Sequence, residues 1–345
     1  LHPARTVLAS IDGLSELRKA IRRELQQPAW LASGIWELIL LAAARLGVQD
    51  LRLETQVGAS ARLVARREGL LHPIAELAAP IATRLRNGLD AEGNGDVLGG
   101  TLRLAGGHRS GFRGRLRVVP GRRGDDLLVS LEGSQRIREL ESLGFAGPPL
   151  GKLQRAAGLS EGLIAISGPP QSGTSTTLRA LLQRILRSHE GARLRAITLD
   201  PPGQLPTPQT TQYVLDAGRG QSHRAALGEI VDDYDIIAGV DLHDADTVDL
   251  ALEASLAGRL VLGTLRASTL TEAMLRLRDL DGRQRLEEGL AAVICQRLER
   301  RGCDLCDGRG CTVCDDTGFA GLRARGAVFL GGASSASPAP PPPPE

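Results

Sequence analysis

Apolar residues recur along the first part of the chain at two different periods. In SELRKAIRREL and GIWELILLAAARLG they fall three and four residues apart, the spacing of a helix with one buried face. In DLRLE, ARLVA, TLRLA, GRLRVV and LLVSLE they alternate or cluster over a few residues, the pattern of short strands. Helices mixed with short strands predict an N-terminal α+β domain over residues 1–147.

From residue 148 the pattern changes. LIAIS (163–167), LRAIT (194–198), DIIAG (235–239) and RLVLGTL (259–265) are short apolar runs with helical patterns between them. After the first run, Leu178, Leu181, Leu182, Ile185 and Leu186 share one helical face. A later helix opens with the capping box Thr269-x-x-Glu272. Strands alternating with helices predict an α/β domain over 148–301, its mainly parallel sheet covered on both faces. Ligands of such sheets bind at the carboxyl ends of the strands. Cys295 falls in an apolar run with helical spacing and reads as a buried thiol.

Composition narrows the class. A chain of 345 residues has room for two or three domains. Lys plus Arg is 42 and Asp plus Glu is 40, so the balance of +2 gives no global case for nucleic acid. Aromatic residues are 2%, too few for base stacking. Seven arginines and no acid lie between 103 and 123, but only Phe112 interleaves, which favours a subunit contact or an acidic partner over nucleic acid. LILLAAA (38–44) falls far short of the roughly 20 residues that span a bilayer. The opening LHPARTVLAS lacks a signal-peptide core. A cytoplasmic location is expected, with residues 331–345 a disordered, proline-rich tail.

Two motifs carry candidate chemistry. GPPQSGTSTT (168–177) sits between a predicted strand and a predicted helix. It matches G-x-x-x-x-G-K-[ST] at Gly168, Gly173 and Ser175, with Thr176 following, but places Thr174 where the lysine belongs. Such loops hold phosphate through backbone N–H groups and a helix N-terminus, with lysine neutralising the β- and γ-phosphates. The stretch reads either as a phosphate loop or as an ordinary strand–turn–helix corner. CDLCDGRGCTVC (303–314) supplies Cys303, Cys306, Cys311 and Cys314 as two C-x-x-C pairs. Four thiolates suit a tetrahedral, structural zinc ion, against free thiols or a redox pair as the other readings.

Further stretches match a known family in order. ARLGVQDLRLE (44–54) resembles the A-S-D-I-H-I-E entry to the domain preceding the motor of type II secretion and type IV pilus assembly ATPases. RREG (66–69) is similar to the R-x-D-G of that family, and GRLRVVPGRRGDDLLVSL to its R-V-S-x-x-P…G-E segment, with Arg115, Pro120 and Asp125 in register. LESLGF (140–145) resembles the linker before the motor, GLIAISGPPQSGTSTTL the family loop, and VICQRLERRGCDLC the A-Q-R-L-x-R-x-L-C-x-x-C run. GFAGLR (318–323) echoes the G-Y-x-G-R segment after the cysteines, although the spacer between the cysteine pairs is shorter here.

The resemblance implies a RecA-like P-loop motor-type domain over 148–301, a tetracysteine zinc element over 302–330 and assembly into hexamers. Gly168, Gly173, Thr174, Ser175, Thr176, Asp200, Asp241 and Arg115 stand at its nucleotide-binding positions. The departures fall on the chemistry. In ITLDPPG, Asp200 and Pro201 remain while Leu199 and Gly203 replace glutamates; in DYDIIAGVDLHD, Asp235 and Asp244 remain while Val240 replaces glycine, Asp241 glutamate and His243 arginine. In AGRLVLGTLRA both family histidines are arginines, Arg259 and Arg266. Thr174 removes the charge that hydrolysis needs, Leu199 cannot accept a proton, and Asp241 is one methylene short where errors of about 1 Å can cost roughly 100-fold.

A pseudo-ATPase is therefore expected: a non-catalytic subunit, scaffold or regulator at the inner-membrane machinery, in a homomeric ring or mixed with an active paralogue. It carries structural zinc and has weak or lost ATP and Mg²⁺ binding. The competing reading is a slow ATP hydrolase in which Arg259, Arg266 or Arg115 replaces the lysine. A zinc-ribbon nucleic-acid binder is the third.

Overall fold

The computed structural model describes residues 11, 13–27, 32–67, 70–90, 101–103, 113–132, 137–188, 193–200, 207–215, 221–311 and 314–331. The chain divides into two compact units, Leu1–Gln135 with Arg300–Gly321, and Arg136–Glu299 with Leu322–Glu345. The proline-rich tail, Pro201, Gly203 and part of the arginine-rich stretch lie outside the described residues.

The first unit holds α1 (Leu14–Leu25), α2 (Ala32–Arg45), β1 (Asp50–Thr55), β2 (Ala61–Arg67), β3 (Leu70–Leu77), α3 (Ala79–Asp90), β4 (Thr101–Arg103), β5 (Arg113–Val119) and β6 (Asp126–Glu132). Its strands form a six-stranded sheet in the order β3-β2-β1-β6-β5-β4, and every pair is antiparallel. Alternation explains the inward face: Leu51 and Leu53 are buried while Asp50, Arg52 and Glu54 between them are half-exposed. Leu14, Leu17, Ala20 and Ile21 of α1 join Ile35, Trp36, Leu38 and Ile39 of α2 in the same core. The Trp36 indole N–H donates to the Leu85 carbonyl at 2.8 Å, so the ring is buried without an unsatisfied donor. This agrees with the expected α+β domain.

β3 was not legible in LLHPIAEL. It carries Pro73, which has no N–H to give a ladder, and it lies at the end of the sheet, where that loss is tolerated.

The cysteine-bearing segment belongs to this unit. Arg67 of β2 reaches Asp315 at 3.1 Å, and the Asp315 side chain is only 2% exposed. The second oxygen of Asp315 has no hydrogen-bond partner. Buried His72 of β3 also faces this carboxylate: burial pushes its imidazole below the ordinary range, Asp315 opposes that, and Arg18 and Arg67 reinforce it.

The second unit holds α4 (Pro148–Ala156), β7 (Gly162–Ser167), α5 (Thr174–Leu186), β8 (Ala196–Asp200), β9 (Thr211–Val214), α6 (His223–Ile230), β10 (Ile236–Asp241), α7 (Ala245–Leu256), β11 (Leu260–Leu265), α8 (Leu270–Leu280) and α9 (Leu286–Gly289). β12 (Leu290–Gly302) and β13 (Phe319–Leu330) complete a seven-stranded sheet in the order β13-β12-β7-β11-β10-β8-β9. The β12–β7, β7–β11, β11–β10, β10–β8 and β8–β9 pairs are parallel. Continuous apolar runs follow from burial on both faces. Ile164 and Ile166 of β7 join the core that includes Leu181 and Leu182 of α5, while Leu163 and Ala165 join the core that includes Val248 and Leu252 of α7. This is the mainly parallel, doubly covered α/β sheet expected.

Cys295 requires a correction. It lies in strand β12, paired with Ser167 of β7, rather than in a helix. Leu290–Cys295 is apolar at every position because both faces of β12 are covered, and a short continuous apolar run has no period that separates strand from helix.

The Arg67–Asp315 pair yields a test. Arg67→Ala should destabilise the protein by about 3 kcal/mol, since it strands a buried carboxylate. In a double-mutant cycle read by urea unfolding, Arg67→Ala should cost far less once Asp315 is Asn. Additive effects would show that the pair contributes nothing.

Candidate functional site

β7 ends at Ser167 and α5 begins at Thr174, so GPPQSG is the loop between a buried strand and a helix start. Ser172 N–H donates to the Pro169 carbonyl at 3.1 Å, closing the turn. Gln171 at φ +65° and Gly173 at φ +83° both take the left-handed region, unusual for glutamine and ordinary for glycine. Beneath the loop, the buried Gln296 amide donates to the Ser172 carbonyl at 2.7 Å. The Ser172 hydroxyl lies against Gly168 with no hydrogen-bond partner.

The start of α5 is chemically open. Ser222, Asp244 and Thr269 each accept a backbone N–H at the start of α6, α7 and α8. Gly173 gives α5 no side-chain cap, and no acid lies in its first turn. The free N–H groups and the positive end of the helix dipole therefore remain available to an anion.

A cavity of about 410 Å³ opens on this point. Gly168, Thr174 and Ser175 line it, as do Leu199 and Asp200 at the end of β8, Asp241 at the end of β10 and Arg266 just after β11. The sheet thus brings together most of the residues that the motifs single out. Asp200 is buried, and one of its oxygens accepts from Thr198 Oγ1 at 2.7 Å and Gln212 Nε2 at 3.0 Å. Leu199 is 2% exposed and offers no polar group. Gly173 and Thr176 belong to the loop and first helical turn without lining the cavity.

One predicted position of the second unit lies away from the cavity. Arg259 precedes β11 at the opposite end of the strand, where it pairs with Asp235 at 3.5 Å and donates to the Asp232 carbonyl. Of the two arginines at family histidine positions, only Arg266 lines the cavity. Arg115 belongs to the first unit, with its backbone opposite Ser130 of β6; its side chain lies outside the described residues.

Sequence reasoning missed Arg179 and His223, which also line the cavity. Arg179 follows Ser175 by four residues on α5, a spacing that puts both on one face and was legible in principle. Burial lowers its guanidinium below the ordinary arginine value, and the Asp200 charge opposes that. His223 accepts the Asp241 backbone N–H on Nδ1 at 3.3 Å. Burial likewise pushes its imidazole below the usual range, against the pull of Asp241, so it sits neutral near pH 7. His243 stands between two carboxylates, 3.6 Å from Asp241 and 3.2 Å from Asp244. Burial opposes the Asp244 charge, but bonds from Thr247 and the nearby His243 and Arg224 hold its carboxyl below the ordinary range.

The four cysteines of the first unit converge. Their sulfurs all lie within 4.8 Å of one another, with Cys303–Cys311 and Cys306–Cys314 at 3.8 Å and Cys311–Cys314 at 3.7 Å. A tetrahedral ion with bonds of about 2.3 Å places its sulfurs about 3.8 Å apart, so the donor set fits a four-coordinate metal. The Gly310 and Cys311 amides donate to the sulfurs of Cys306 and Cys314 at 3.3 and 3.2 Å, which favours thiolates. The short spacer between the pairs does not prevent convergence.

The sequence profile of the family described as "Type II/IV secretion system protein" matches residues 100–328. The chain is 26% identical over 275 residues to "Protein transport protein HofB homolog" of Escherichia coli (strain K12), covering 77% of this chain and 59% of the relative. It is 32% identical over 195 residues to "Type II secretion system protein HxcR" of Pseudomonas aeruginosa, covering 56% of this chain and 41% of the relative. The chain thus spans about 59% or less of the length of these curated relatives. Among solved structures, the Legionella pneumophila ATPase DotB is similar at TM-score 0.65 and 19% identity, over 88% of this chain and 83% of that one. The pilus retraction motor PilT with bound ADP is similar at TM-score 0.58 and 22% identity, over 85% and 82%. These structural likenesses establish the fold.

Gly239 supplies the test of this geometry. It adopts φ +85°, and a Cβ there would run into the Leu199 carbonyl. Gly239→Ala should therefore lower stability by about 1–3 kcal/mol, read by urea unfolding. An unchanged midpoint would mean that β8 and β10 do not approach as described.

Proposed function

This chain belongs to the type II/IV secretion system protein family, and we propose that it serves such a system as a non-catalytic cytoplasmic subunit. The carrying observation is the pairing of Thr174 with Leu199 in one cavity on an otherwise intact scaffold. Phosphoryl transfer to water requires charge neutralisation on the β- and γ-phosphates and a group that orients the attacking water. Thr174 supplies no charge and Leu199 no polar atom. Arg259, held at the other end of β11 by Asp235, does not replace either. Asp200 and Asp241 remain at the rim, so the site keeps part of the apparatus without the part that stabilises transferring phosphate.

The role proposed is that of a scaffold or regulator within secretion or type IV pilus machinery, oligomeric, at the cytoplasmic side of the inner membrane. It acts alone in a ring or beside an active paralogue. Among the described residues no helix is long and apolar enough to cross a membrane. Cys303, Cys306, Cys311 and Cys314 are proposed to hold one structural zinc ion, with no position left open for catalysis.

Turnover decides the first part. Purified protein should hydrolyse ATP no faster than its Ser175→Ala variant, since the residual rate of both is contamination. A wild-type rate that Ser175→Ala abolishes would make the protein a hydrolase, with Arg266 in the cavity as the compensating charge.

Metal content decides the second. About one zinc per chain is expected, and chelation should lower the thermal midpoint, because binding energy at such sites is folding energy. Metal-free protein with unchanged melting and freely titratable thiols would rule the ion out.

A further inference from the structure

We propose that Arg179, together with Arg266, replaces the missing loop lysine as the cation of this cavity, so that the site still takes the polyphosphate of a nucleoside triphosphate. The assignment rests on the nucleotide-site reading given above and deepens it. Both guanidinium-bearing residues line the cavity that meets the uncapped start of α5, and they approach it from different elements.

Arg266 follows Leu265, which pairs with Ser167 in the parallel β11–β7 ladder. That register sets Arg266 beside Gly168, where the loop begins. Arg179 stands on α5 one turn beyond Ser175, on the same face. The loop and helix start are therefore flanked by one arginine on the sheet side and one on the helix side. Asp200, fixed by Thr198 and Gln212, lines the same cavity, and its charge favours the charged form of half-buried Arg179.

The open start of α5 adds backbone donors beside the two arginines, since Gly173 gives it no side-chain cap and no acid lies in its first turn. Arginine also differs from lysine in what it holds: its planar fork grips phosphate oxygens in pairs. A phosphate chain reaching from the helix start to Arg179 and Arg266 engages both.

Equilibrium binding of Mg-ATP to the full chain tests this, with inorganic tripolyphosphate and adenosine as probes of the two halves of the ligand. Wild type should bind ATP, tripolyphosphate should displace it, and adenosine should not. Arg179→Ala should weaken ATP binding about 10- to 100-fold, the loss of one charge-assisted contact. Arg179→Lys should fall between Arg179→Ala and wild type, because it keeps the charge and loses the planar fork, and both variants should melt within a few degrees of wild type. Thr174→Lys introduced into Arg179→Ala should restore ATP binding, because the cation returns at the family position.

The proposal is overturned if wild type shows no tripolyphosphate-sensitive ATP binding at millimolar ligand. It is also overturned if folded Arg179→Ala and Arg179→Gln bind ATP as wild type does. ATP turnover that Ser175→Ala abolishes would end the non-catalytic reading while leaving Arg179 in place. Unchanged ATP affinity in the Arg179 variants, without turnover, would do the reverse.

Discussion

Parallel pairing fixes where neighbouring strands end, and the cavity exists because four of them end together. β11 pairs with β7 without slippage from Leu260↔Gly162 to Leu265↔Ser167, so Arg266 and Gly168 leave the sheet side by side. β10 joins β11 with one irregularity, between Ala238 and Val240, where Gly239 is the extra residue. That residue matters for function as well as packing. With Gly239 accommodated, Asp241 stands opposite Thr264; without it, the ladder would set Val240 there and carry Asp241 one residue further. Only glycine meets the condition, because its left-handed backbone lies against the Leu199 carbonyl where no Cβ fits. The placement of Asp241 therefore traces to one close approach between β8 and β10.

What occupies the rim is then a question of charge. Losing a lysine from a phosphate loop removes a compact cation from the point where phosphate charge concentrates. It leaves the backbone donors untouched, since these depend on the chain path of Gly168–Gly173 and the start of α5. Arginine on α5 and arginine after β11 restore positive charge at a distance, where it can hold a ground-state anion. Catalysis asks for more, because only contacts that strengthen as charge develops accelerate the chemical step. Leu199 contributes none. On the proposed reading, binding without turnover follows from donors that survive and transition-state groups that have gone.

The parallel core was legible because its strands are buried on both faces and read as apolar runs ending at Gly168, Asp200, Asp241 and Arg266. The loop was legible from its glycines, and the cysteine cluster from its paired spacing. The failures share a cause. β12 repeats the apolar run of a central strand, but its continuation QRLERR carries helical spacing, so the pattern alone misassigned it. β3 was hidden by Pro73, a strand breaker except at a sheet edge, and edge position is a tertiary fact. The distance of Arg259 from the cavity could not be read from the chain. Arg259 and Arg266 flank one six-residue strand, and only the strand direction separates the end that meets the loop from the end that meets Asp235.

The cysteine segment makes the same point about local order in the first unit. Asp315 adjoins Cys314 and is almost fully buried, with one oxygen on Arg67 and the other unpartnered. Burying a carboxylate costs several kcal/mol unless its partner is held in good geometry. A short loop with glycine at 308, 310 and 318 has little intrinsic stiffness to hold it. Four sulfurs converging at tetrahedral distances supply that stiffness once a metal joins them, because the position of Cys314 then fixes the residue that follows. On this view the metal's structural role extends beyond its own loop. A metal bound there would keep a buried ion pair in register with β2 and with the buried imidazole of β3.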